Sequence, residues 1–305
     1  MDRTLVIAPA SRLPSPAAVL ALFKPITWFP PMWAFMCGVV SSGVSFEGRW
    51  LFLVAGIALT GPLVCATSQA VNDWFDRHVD AINEPDRPIP SGRIPGRWGL
   101  IIAVVWTGLS VVVAAFTGPW VLGATLLGLA LAWAYSAPPL RLKMSGVAGP
   151  SAVALSYEGL TWFTGAAVMA GTLPGAPVLL LAVLYSFGAY GIMVLNDFKA
   201  VEGDRLMGVR SLPAELGIAP AAWIACAVMA APQVLVVALL FVAWDRPWHG
   251  AVVAAMLVAQ GLLMRRLLTD PTRLTPWYNG TGTTLYVLGM LVSAFAVGSL
   301  SGAAT

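Results

Sequence analysis

The stretch Asn72-Asp-Trp-Phe-Asp-Arg-His-Val-Asp80 places one amide and three carboxylates directly after a long apolar segment. A poorer copy, Asn196-Asp-Phe-Lys-Ala-Val-Glu-Gly-Asp204, follows another apolar segment and repeats the Asn-Asp pair and the final Asp at the same spacing. Carboxylates at the ends of apolar helices are costly unless a cation holds them together. The two motifs therefore predict two acidic clusters that face each other around a shared site.

The composition excludes a soluble globular protein. Of 305 residues, 58% are hydrophobic and only 10% are charged, whereas soluble domains average about 25% charged residues. Apolar stretches recur along the chain, and most approach the ~20 residues that cross a hydrocarbon core. They lie at about 26–46, 51–71, 99–118, 120–137, 148–170, 177–195, 219–243, 248–264 and 281–302. We predict an all-α polytopic membrane protein with nine transmembrane helices.

The basic residues predict the orientation, because Lys and Arg concentrate in cytoplasmic loops. With the N-terminus in the cytoplasm, only Arg49 and Arg246 of the 17 basic residues face outward. The inner set is Arg3, Arg12, Lys24, Arg77, Arg87, Arg93, Arg97, Arg141, Lys143, Lys199, Arg205, Arg210, Arg265, Arg266 and Arg273. We expect residues 1–23 to form a cytoplasmic N-terminal segment and residues 24–305 to form a single membrane domain. The two long inner connections are predicted at about 72–97 and 196–218.

The first motif presents its polar groups on one side of a helix. At ~100° per residue, Asp76 lies about 40°, Asp80 about 80° and Asp73 about 100° from Asn72. In the second motif, Asp197 and Asp204 share a face, and Ala200 stands where the first motif has Asp76.

Mg²⁺ prefers one or two carboxylates together with substrate phosphates, which predicts a Mg²⁺ site that binds a diphosphate. The candidate ligands are Asn72, Asp73, Asp76, Asp80, Asn196, Asp197 and Asp204, of which Asp76, Asp80 and Asp204 are the candidate catalytic residues. The alternative interpretation is a solvated loop with helix caps.

Cationic side chains are interleaved with the acids, and a third inner loop, Tyr135-Ser-Ala-Pro-Pro-Leu-Arg-Leu-Lys143, adds two more. Cations beside Mg²⁺ carboxylates suit a diphosphate, whose leaving charge they stabilise. The candidate diphosphate-binding residues are Arg87, Arg93, Tyr135, Arg141, Lys143, Lys199, Arg205 and Arg210. The alternative for Arg141 and Lys143 is that they reflect only the enrichment of basic residues in cytoplasmic loops and bind no diphosphate.

The motifs quoted above resemble those of a known protein family. Asn-Asp-x-x-Asp-x-x-x-Asp, the second acidic motif and Tyr-Ser-x-Pro-Pro resemble the UbiA superfamily of intramembrane prenyltransferases. The stretches 80–93 and 196–213 resemble the chlorophyll and bacteriochlorophyll synthases, and Lys24-Pro-Ile-Thr-Trp-Phe-Pro-Pro-Met-Trp-Ala-Phe35 resembles the bacteriochlorophyll branch. Many relatives have Asp where this chain has Ala200, and Asp197 is the best substitute by helical phase.

The resemblance implies a nine-helix bundle with a cytoplasmic-facing active site. Its Mg²⁺ would bind a prenyl diphosphate through Asn72, Asp76 and Asp80 on one side and Asp204 on the other. The implied acceptor is bacteriochlorophyllide a, and the implied donor is geranylgeranyl or phytyl diphosphate. The implied location is the inner or intracytoplasmic photosynthetic membrane of a phototrophic bacterium, with pigment-biosynthesis or assembly proteins as possible partners and no nucleic acid.

Two residues are candidates for binding the tetrapyrrole. Glu158 is the one carboxylate inside a predicted span, and an intramembrane acid is a functional candidate by default. His78, between the acids of the first motif, is the second candidate, as a ligand of the central magnesium. Structural pairing for Glu158 and an ordinary loop position for His78 are the alternatives.

Two rival functions follow from the same sequence. One is a UbiA-type prenyltransferase that acts on a quinone precursor or on haem. The other is a transporter or a pigment-binding membrane protein without catalysis. Transporters place ionisable groups near the bilayer midplane on broken helices, whereas these acids are predicted at the cytoplasmic helix ends, which favours chemistry.

Overall fold

The computed structural model describes residues 13–301, and every regular element in that range is helical. Two of the predicted inner residues, Arg3 and Arg12, lie outside it. The helices are α1 (Pro16–Phe23), α2 (Phe29–Ser41), α3 (Trp50–Asn83), α4 (Trp98–Thr117), α5 (Pro119–Ser136), α6 (148–170), α7 (Ala176–Asn196), α8 (Val201–Met207), α9 (Leu212–Leu216), α10 (Ile218–Ala243), α11 (Pro247–Leu267) and α12 (Pro271–Ser301). Helices α3, α6 and α10 each contain a π-helical stretch, at Leu59–Cys65, Leu155–Leu160 and Leu239–Ala243. The prediction of an all-α protein is confirmed.

Seven helices of the described chain are long and apolar enough to cross a membrane, namely α3, α4, α5, α7, α10, α11 and α12. The two other predicted spans coincide with α2 and α6. Helix α2 has only 13 residues because Pro30 and Pro31 confine its start. Helix α6 includes the polar run Ser156-Tyr-Glu158. The protein is therefore a multi-pass membrane protein with at least seven candidate spans.

Two helices are longer than the hydropathy pattern predicts. Helix α3 continues through the whole first acidic motif to Asn83, so the inner connection begins there and not at residue 72. Helix α12 begins at Pro271, ten residues before the predicted span, and contains Pro276 and Asn279. In both cases polar residues on a continuous helix lower the local hydropathy and hide the helix end.

The helices form a closed bundle. Helix α2 packs against both α6 and α12, α7 packs against α10, and α3 packs against α4 and α5. The crossing of α2 and α6 is close because each helix has a glycine at the contact. A Cβ atom at Gly38 would lie 1.9 Å from the Trp162 carbonyl oxygen, and one at Gly165 would lie 2.0 Å from the Phe35 carbonyl oxygen. The backbones of α2 and α6 therefore touch directly.

Helix α1 belongs to the region predicted as the N-terminal segment, and it packs against the motif-bearing half of the bundle. Its Ala18, Leu22 and Phe23 are buried in a cluster with residues of α3 and α4. The Phe23 ring lies 4.6 Å from that of Trp106, centroid to centroid. Lys24 ends this helix in a left-handed conformation and directs the chain along the base of α3.

Candidate active site

A cavity of about 1290 Å³ lies inside the bundle and is lined by residues of α2, α3, α5, α6, α7 and α12 and of the loops after α3, α5 and α7. Ligand pockets of ordinary size run to about 1000 Å³, so this cavity has room for a large ligand or for two. Both acidic motifs reach it. Its lining includes Asn72, Asp76 and Asp80 from the first motif and Asn196, Asp197 and Asp204 from the second.

The first motif forms an acidic face on the last turns of α3. Asn72 donates from Nδ2 to Asp76 Oδ2 at 2.8 Å and to Ser136 Oγ at 3.2 Å, which fixes the amide between α3 and α5. Asp76 Oδ1 pairs with the Lys143 ammonium. Asp80 Oδ2 accepts a hydrogen bond from Arg87 at 2.8 Å. Both first-motif carboxylates that line the cavity, Asp76 and Asp80, are thus held by a cation.

Asp73 has a different environment, although it belongs to the same motif. Its side chain is fully buried and is absent from the cavity lining, and its Oδ1 lies 2.7 Å from Lys24 Nζ and 3.4 Å from Arg87. Of the three aspartates its phase is furthest from Asn72, about 100°. At that angle the side chain points toward α1 and the Arg87 loop. The structure therefore places Asp73 behind the predicted metal site.

The second motif is not one helix. Helix α7 ends at Asn196, residues Asp197–Lys199 form a 3₁₀ turn, and α8 begins at Val201. Asn196 Oδ1 accepts a hydrogen bond from Asn279 of α12 at 3.2 Å. Asp204 Oδ2 accepts one from Ser211 Oγ at 2.5 Å. The Ser211 hydrogen bond holds Asp204 at the cavity, and the bend in the backbone brings Asp197 to the same lining. The prediction of one shared helical face therefore does not describe this motif.

Two loops join across the cavity mouth. Gly146 donates its N–H to the Arg210 carbonyl at 2.7 Å, and Arg210 donates its N–H to the Met144 carbonyl at 3.0 Å. Tyr190 of α7 donates to the Gly146 carbonyl at 3.0 Å. A Cβ atom at Gly146 would lie 2.5 Å from the Arg210 carbonyl oxygen, so only glycine permits this contact. The pairing holds Lys143 and Asp204 on the same rim.

The predicted diphosphate-binding residues divide into two groups. Arg87, Tyr135, Arg141, Lys143 and Lys199 line the cavity. Outside the lining are three exposed arginines with local contacts: Arg93 donates to the Asp86 carbonyl, Arg205 to the Ala214 carbonyl, and Arg210 to Glu215.

Arg87 links the acidic face to the loop after α3. It contacts Asp73, Asp80 and Glu84. Burial opposes its charge, yet the pKa of Arg87 lies above its usual value, because the hydrogen bond that it donates to Glu84 and the charges of Asp73 and Asp80 outweigh that effect. Arg87 is therefore a permanent cation at the cavity wall.

The two tetrapyrrole candidates are separated by the fold. Glu158 lies in the π-helical stretch of α6, lines the cavity and is only 7% exposed. His78 is on the outer face of α3, is exposed, and is absent from the cavity lining. Its phase, about 240° from Asn72, turns it away from the acids. The structure therefore brings Glu158 and not His78 to the cavity.

Sequence reasoning missed several residues that shape this site. The sequence marks Lys24 as an inner basic residue and as the start of a family-like stretch, but not as the partner that neutralises Asp73. Asn279 was placed outside the last span, and Ser136 and Ser211 carried no signal beyond their positions in the loops. The one usable signal was that Ser136 directly follows Tyr135 in the proline-containing loop.

The donor set suits Mg²⁺ that is bound together with phosphates. Within residues 13–301, no three His, Cys, Asp or Glu side chains are placed to hold a metal ion on their own. Carboxylate and amide oxygens from two facing motifs nevertheless line one cavity, and Mg²⁺ commonly completes its coordination with substrate phosphates and water. The residues present therefore fit a Mg²⁺–diphosphate pair.

Comparison with known proteins defines the class. The UbiA prenyltransferase family model matches residues 27–279, and the chain belongs to this family. It is therefore a prenyltransferase-family membrane enzyme, as the motifs predicted.

Relatives with similarity over nearly the full length narrow the class further. The chain is 58% identical to the bacteriochlorophyll synthase 33 kDa chain of Cereibacter sphaeroides, over 98% of this chain and 99% of that one. It is 54% identical to that of Rhodobacter capsulatus, over 95% and 97%. It is also 37% identical to the chloroplastic chlorophyll synthase of Arabidopsis thaliana, over 91% and 73%. The predicted resemblance to the bacteriochlorophyll branch is confirmed.

Solved structures support the fold. A digeranylgeranylglyceryl phosphate synthase superposes with a TM-score of 0.72 at 22% identity, over 93% of this chain and 98% of that one. A UbiA homolog from Archaeoglobus fulgidus bound to GPP and Mg²⁺ gives a TM-score of 0.66 at 20% identity, over 92% and 99%. The predicted UbiA-like bundle is confirmed, and Mg²⁺ together with a prenyl diphosphate occurs within the family.

Proposed function

We propose that this protein esterifies the 17-propionate of bacteriochlorophyllide a with a prenyl group, geranylgeranyl or phytyl, taken from its diphosphate. The observation that carries the proposal is the convergence of both acidic motifs and five polar or cationic side chains on one large cavity. The similarity to bacteriochlorophyll synthases over nearly the full chain selects the acceptor among the substrates that this family prenylates.

The acidic residues of the cavity would hold Mg²⁺. Asn72, Asp76 and Asp80 supply one side, and Asp204 with Asp197 supplies the other, where Ala200 leaves a gap. When bound, Mg²⁺ neutralises diphosphate charge and makes it a better leaving group. Asp73 is excluded from this set, because its buried carboxylate already binds Lys24 and Arg87.

The cations and the tyrosine of the cavity would bind the diphosphate oxygens. Lys143 and Arg87 now pair with Asp76 and Asp80, so both sit next to the acids that bind the metal. Arg141 and Lys199 add positive charge, and Tyr135 adds a hydroxyl donor on the same wall. Charge-assisted hydrogen bonds of this kind strengthen as negative charge accumulates on the leaving group.

The chemical step needs no general base. The allylic C–O bond breaks, and diphosphate leaves with both electrons. A propionate oxygen then uses a lone pair to form the new C–O bond to that carbon. A propionate with a pKa near that of Glu is ionised at neutral pH, so no proton has to be removed. The apolar part of the cavity wall keeps water from the electron-poor carbon.

The membrane arrangement follows from the same site. We propose that α2 and α6 complete a set of nine spans, with the N-terminus and the cavity mouth on the cytoplasmic side. Short α2 and polar α6 are acceptable in a bilayer because both are surrounded by other helices. The proposed location is the inner or intracytoplasmic membrane of a phototrophic bacterium.

The test is esterification by the purified protein in detergent or nanodiscs, supplied with bacteriochlorophyllide a, geranylgeranyl diphosphate and Mg²⁺. Pigment that moves to the esterified position in chromatography, and is lost with EDTA and restored by excess Mg²⁺, is the expected result. Asp204→Asn should abolish it. Glu202→Gln, an exposed neighbour outside the cavity lining, is the matched control and should behave as wild type.

The other outcomes are equally informative. Prenylation of a hydroxybenzoate or homogentisate, without pigment ester, would overturn the acceptor and keep the diphosphate site. Mg²⁺-dependent binding of the prenyl diphosphate without any product would overturn the enzymatic proposal and favour a binding or transport protein.

A further inference from the structure

The inner wall of the cavity is polar at one place on α6. Tyr157, Glu158 and Thr161 line it there, within and just after the π-helical stretch Leu155–Leu160. Stretches of π-helix inside α-helices are frequent at functional sites, because the extra residue redirects side chains. Glu158 is the one carboxyl of this wall, and it belongs to neither acidic motif.

Two polar neighbours of Glu158, Tyr157 and Thr161, have hydrogen-bond partners inside the protein. Tyr157 Oη accepts from Gln69 Nε2 at 3.4 Å and lies 3.4 Å from Cys65 Sγ. Thr161 donates to the Tyr157 backbone carbonyl. Their hydrogen bonds close the wall between α3 and α6 without involving the carboxyl group.

Glu158 itself is unpaired. Throughout the described chain, no side chain or backbone group forms a hydrogen bond or ion pair with its carboxyl, and its Oε2 is fully enclosed without a partner. The two cations that the structure pairs with cavity acids, Lys143 and Arg87, are held by Asp76 and Asp80. An ionised carboxyl without a cation in such a wall is very costly, so the group is held as the neutral acid. A neutral acid has one O–H to donate.

The proposed substrates differ in the hydrogen-bond acceptors that they could present to the Glu158 O–H. A prenyl chain has no polar atom, and the diphosphate is expected at the mouth, among the cations. The macrocycle of bacteriochlorophyllide a carries carbonyl oxygens on its rim, an acetyl and a ring ketone, and each is an acceptor that must lose water when it enters the cavity. A buried donor without an acceptor and a buried acceptor without a donor each cost free energy. A hydrogen bond between the two removes both costs.

We propose that Glu158 is a specificity-determining residue whose carboxylic acid donates a hydrogen bond to a rim carbonyl of the tetrapyrrole acceptor. This inference rests on the proposed acceptor. It assigns the acceptor subsite to the π-helical stretch of α6, below the diphosphate-binding mouth. It also explains why a membrane helix carries a carboxyl that nothing in residues 13–301 satisfies.

The experiment measures binding of bacteriochlorophyllide a, and of two analogues, to wild type, Glu158→Gln and Glu158→Leu without prenyl diphosphate. One analogue has a vinyl group in place of the acetyl, and the other has the ring ketone reduced to an alcohol. Wild type should prefer the parent pigment over one of them by about tenfold, the effect of one buried hydrogen bond. Glu158→Gln keeps an N–H donor and should keep that preference, whereas Glu158→Leu should lose it.

Three readouts separate this role from a structural one. The KM for geranylgeranyl diphosphate should be unchanged in both variants. Glu158→Leu should unfold at or above the wild-type temperature, because it removes an unsatisfied buried group. Thr164→Val, on the same helix but outside the cavity lining, with its hydroxyl bonded to the Leu160 carbonyl, should bind all three pigments as wild type does.

Several outcomes would overturn the inference. Equal pigment preferences in wild type and Glu158→Leu would remove Glu158 from the subsite. If Glu158→Leu instead loses a preference for the magnesium pigment over its metal-free form, the carboxyl is a metal ligand and not a donor. Failure of wild type to bind or esterify bacteriochlorophyllide a would refute the proposed function itself. Normal binding and esterification by wild type, together with equal pigment preferences in wild type and Glu158→Leu, would refute only the role of Glu158.

Discussion

Asp73 and Asp76 are three residues apart on α3, yet they bind different cations and lie in different environments. Asp76 faces the cavity and pairs with Lys143 of the loop after α5. Asp73 is buried behind the cavity, where its Oδ1 lies 2.7 Å from Lys24 Nζ. One short motif thus supplies both a proposed ligand face toward the cavity and an ionic contact toward α1.

We predict that Asp73→Asn and Asp76→Asn will have different kinetic signatures. Asp76→Asn removes a proposed metal ligand and should raise the Mg²⁺ concentration for half-maximal activity more than roughly tenfold. Asp73→Asn loosens Arg87, so it should raise the KM for the prenyl diphosphate several-fold with the Mg²⁺ requirement unchanged. Mg²⁺ titrations at saturating prenyl diphosphate measure the difference. The variant Asp86→Asn, at an exposed position, is the control. Equal shifts of the Mg²⁺ requirement in Asp73→Asn and Asp76→Asn would show that Asp73 also binds the metal.

The pair of Lys24 and Asp73 also makes a stability prediction. Lys24→Met leaves a fully buried carboxylate with only the 3.4 Å contact to Arg87, and breaking a buried ion pair from one side costs about 3 kcal/mol. We expect a clearly lowered unfolding temperature in detergent. The double variant Lys24→Met/Asp73→Asn should recover part of that loss, because the uncompensated charge is gone. Strictly additive losses in the double variant would show that the two residues do not interact.

The close crossing of α2 and α6 predicts a strong effect of a single methyl group. Gly165→Ala would place a Cβ atom 2.0 Å from the Phe35 carbonyl oxygen, so the helices must separate, at a cost of about 1–3 kcal/mol. Gly108→Ala on α4 meets nothing within 4 Å and should be neutral or slightly stabilising, since alanine favours helix. Thermal unfolding of both variants checks the contrast. An unchanged unfolding temperature for Gly165→Ala would mean that α2 and α6 lie further apart.

The helical fold and the meeting of the two acidic motifs were predictable from the sequence, because each rests on local information. Hydrophobic stretches report helices, and a spacing of four residues keeps Asn72, Asp76 and Asp80 on one face whatever packs around them. The same local rule failed for the second motif, since the backbone bends at Asp197–Lys199.

The orientation of individual side chains and the ends of two helices could not be predicted, because they depend on contacts and burial that the local sequence does not report. At about 100° from Asn72, the Asp73 side chain could point toward the cavity or toward α1. It points toward α1 because Lys24 lies there, and that contact cannot be read from the local sequence. Arg93, Arg205 and Arg210 are on surface loops, where their orientation follows from local carbonyl and carboxylate partners. The true ends of α3 and α12 were hidden because hydropathy measures polarity, and polar residues lining a cavity remain helical.

The ion pair between Lys143 and Asp76 leads to a prediction in which turnover falls while the affinity for the metal rises. Lys143 now binds the carboxylate that is proposed to hold Mg²⁺, so it competes with the metal in the free enzyme and binds diphosphate in the loaded one. Lys143→Gln should lower kcat on the order of a hundredfold, the usual effect of losing one donor to a developing negative charge. The same change should lower the Mg²⁺ concentration needed for half-saturation, because Asp76 is released. Mn²⁺ binding followed by electron paramagnetic resonance gives that affinity without turnover, and Lys199→Gln, whose lysine pairs with no acid within residues 13–301, is the comparison. Weaker metal binding in Lys143→Gln would mean that the lysine supports the metal site and does not compete with it.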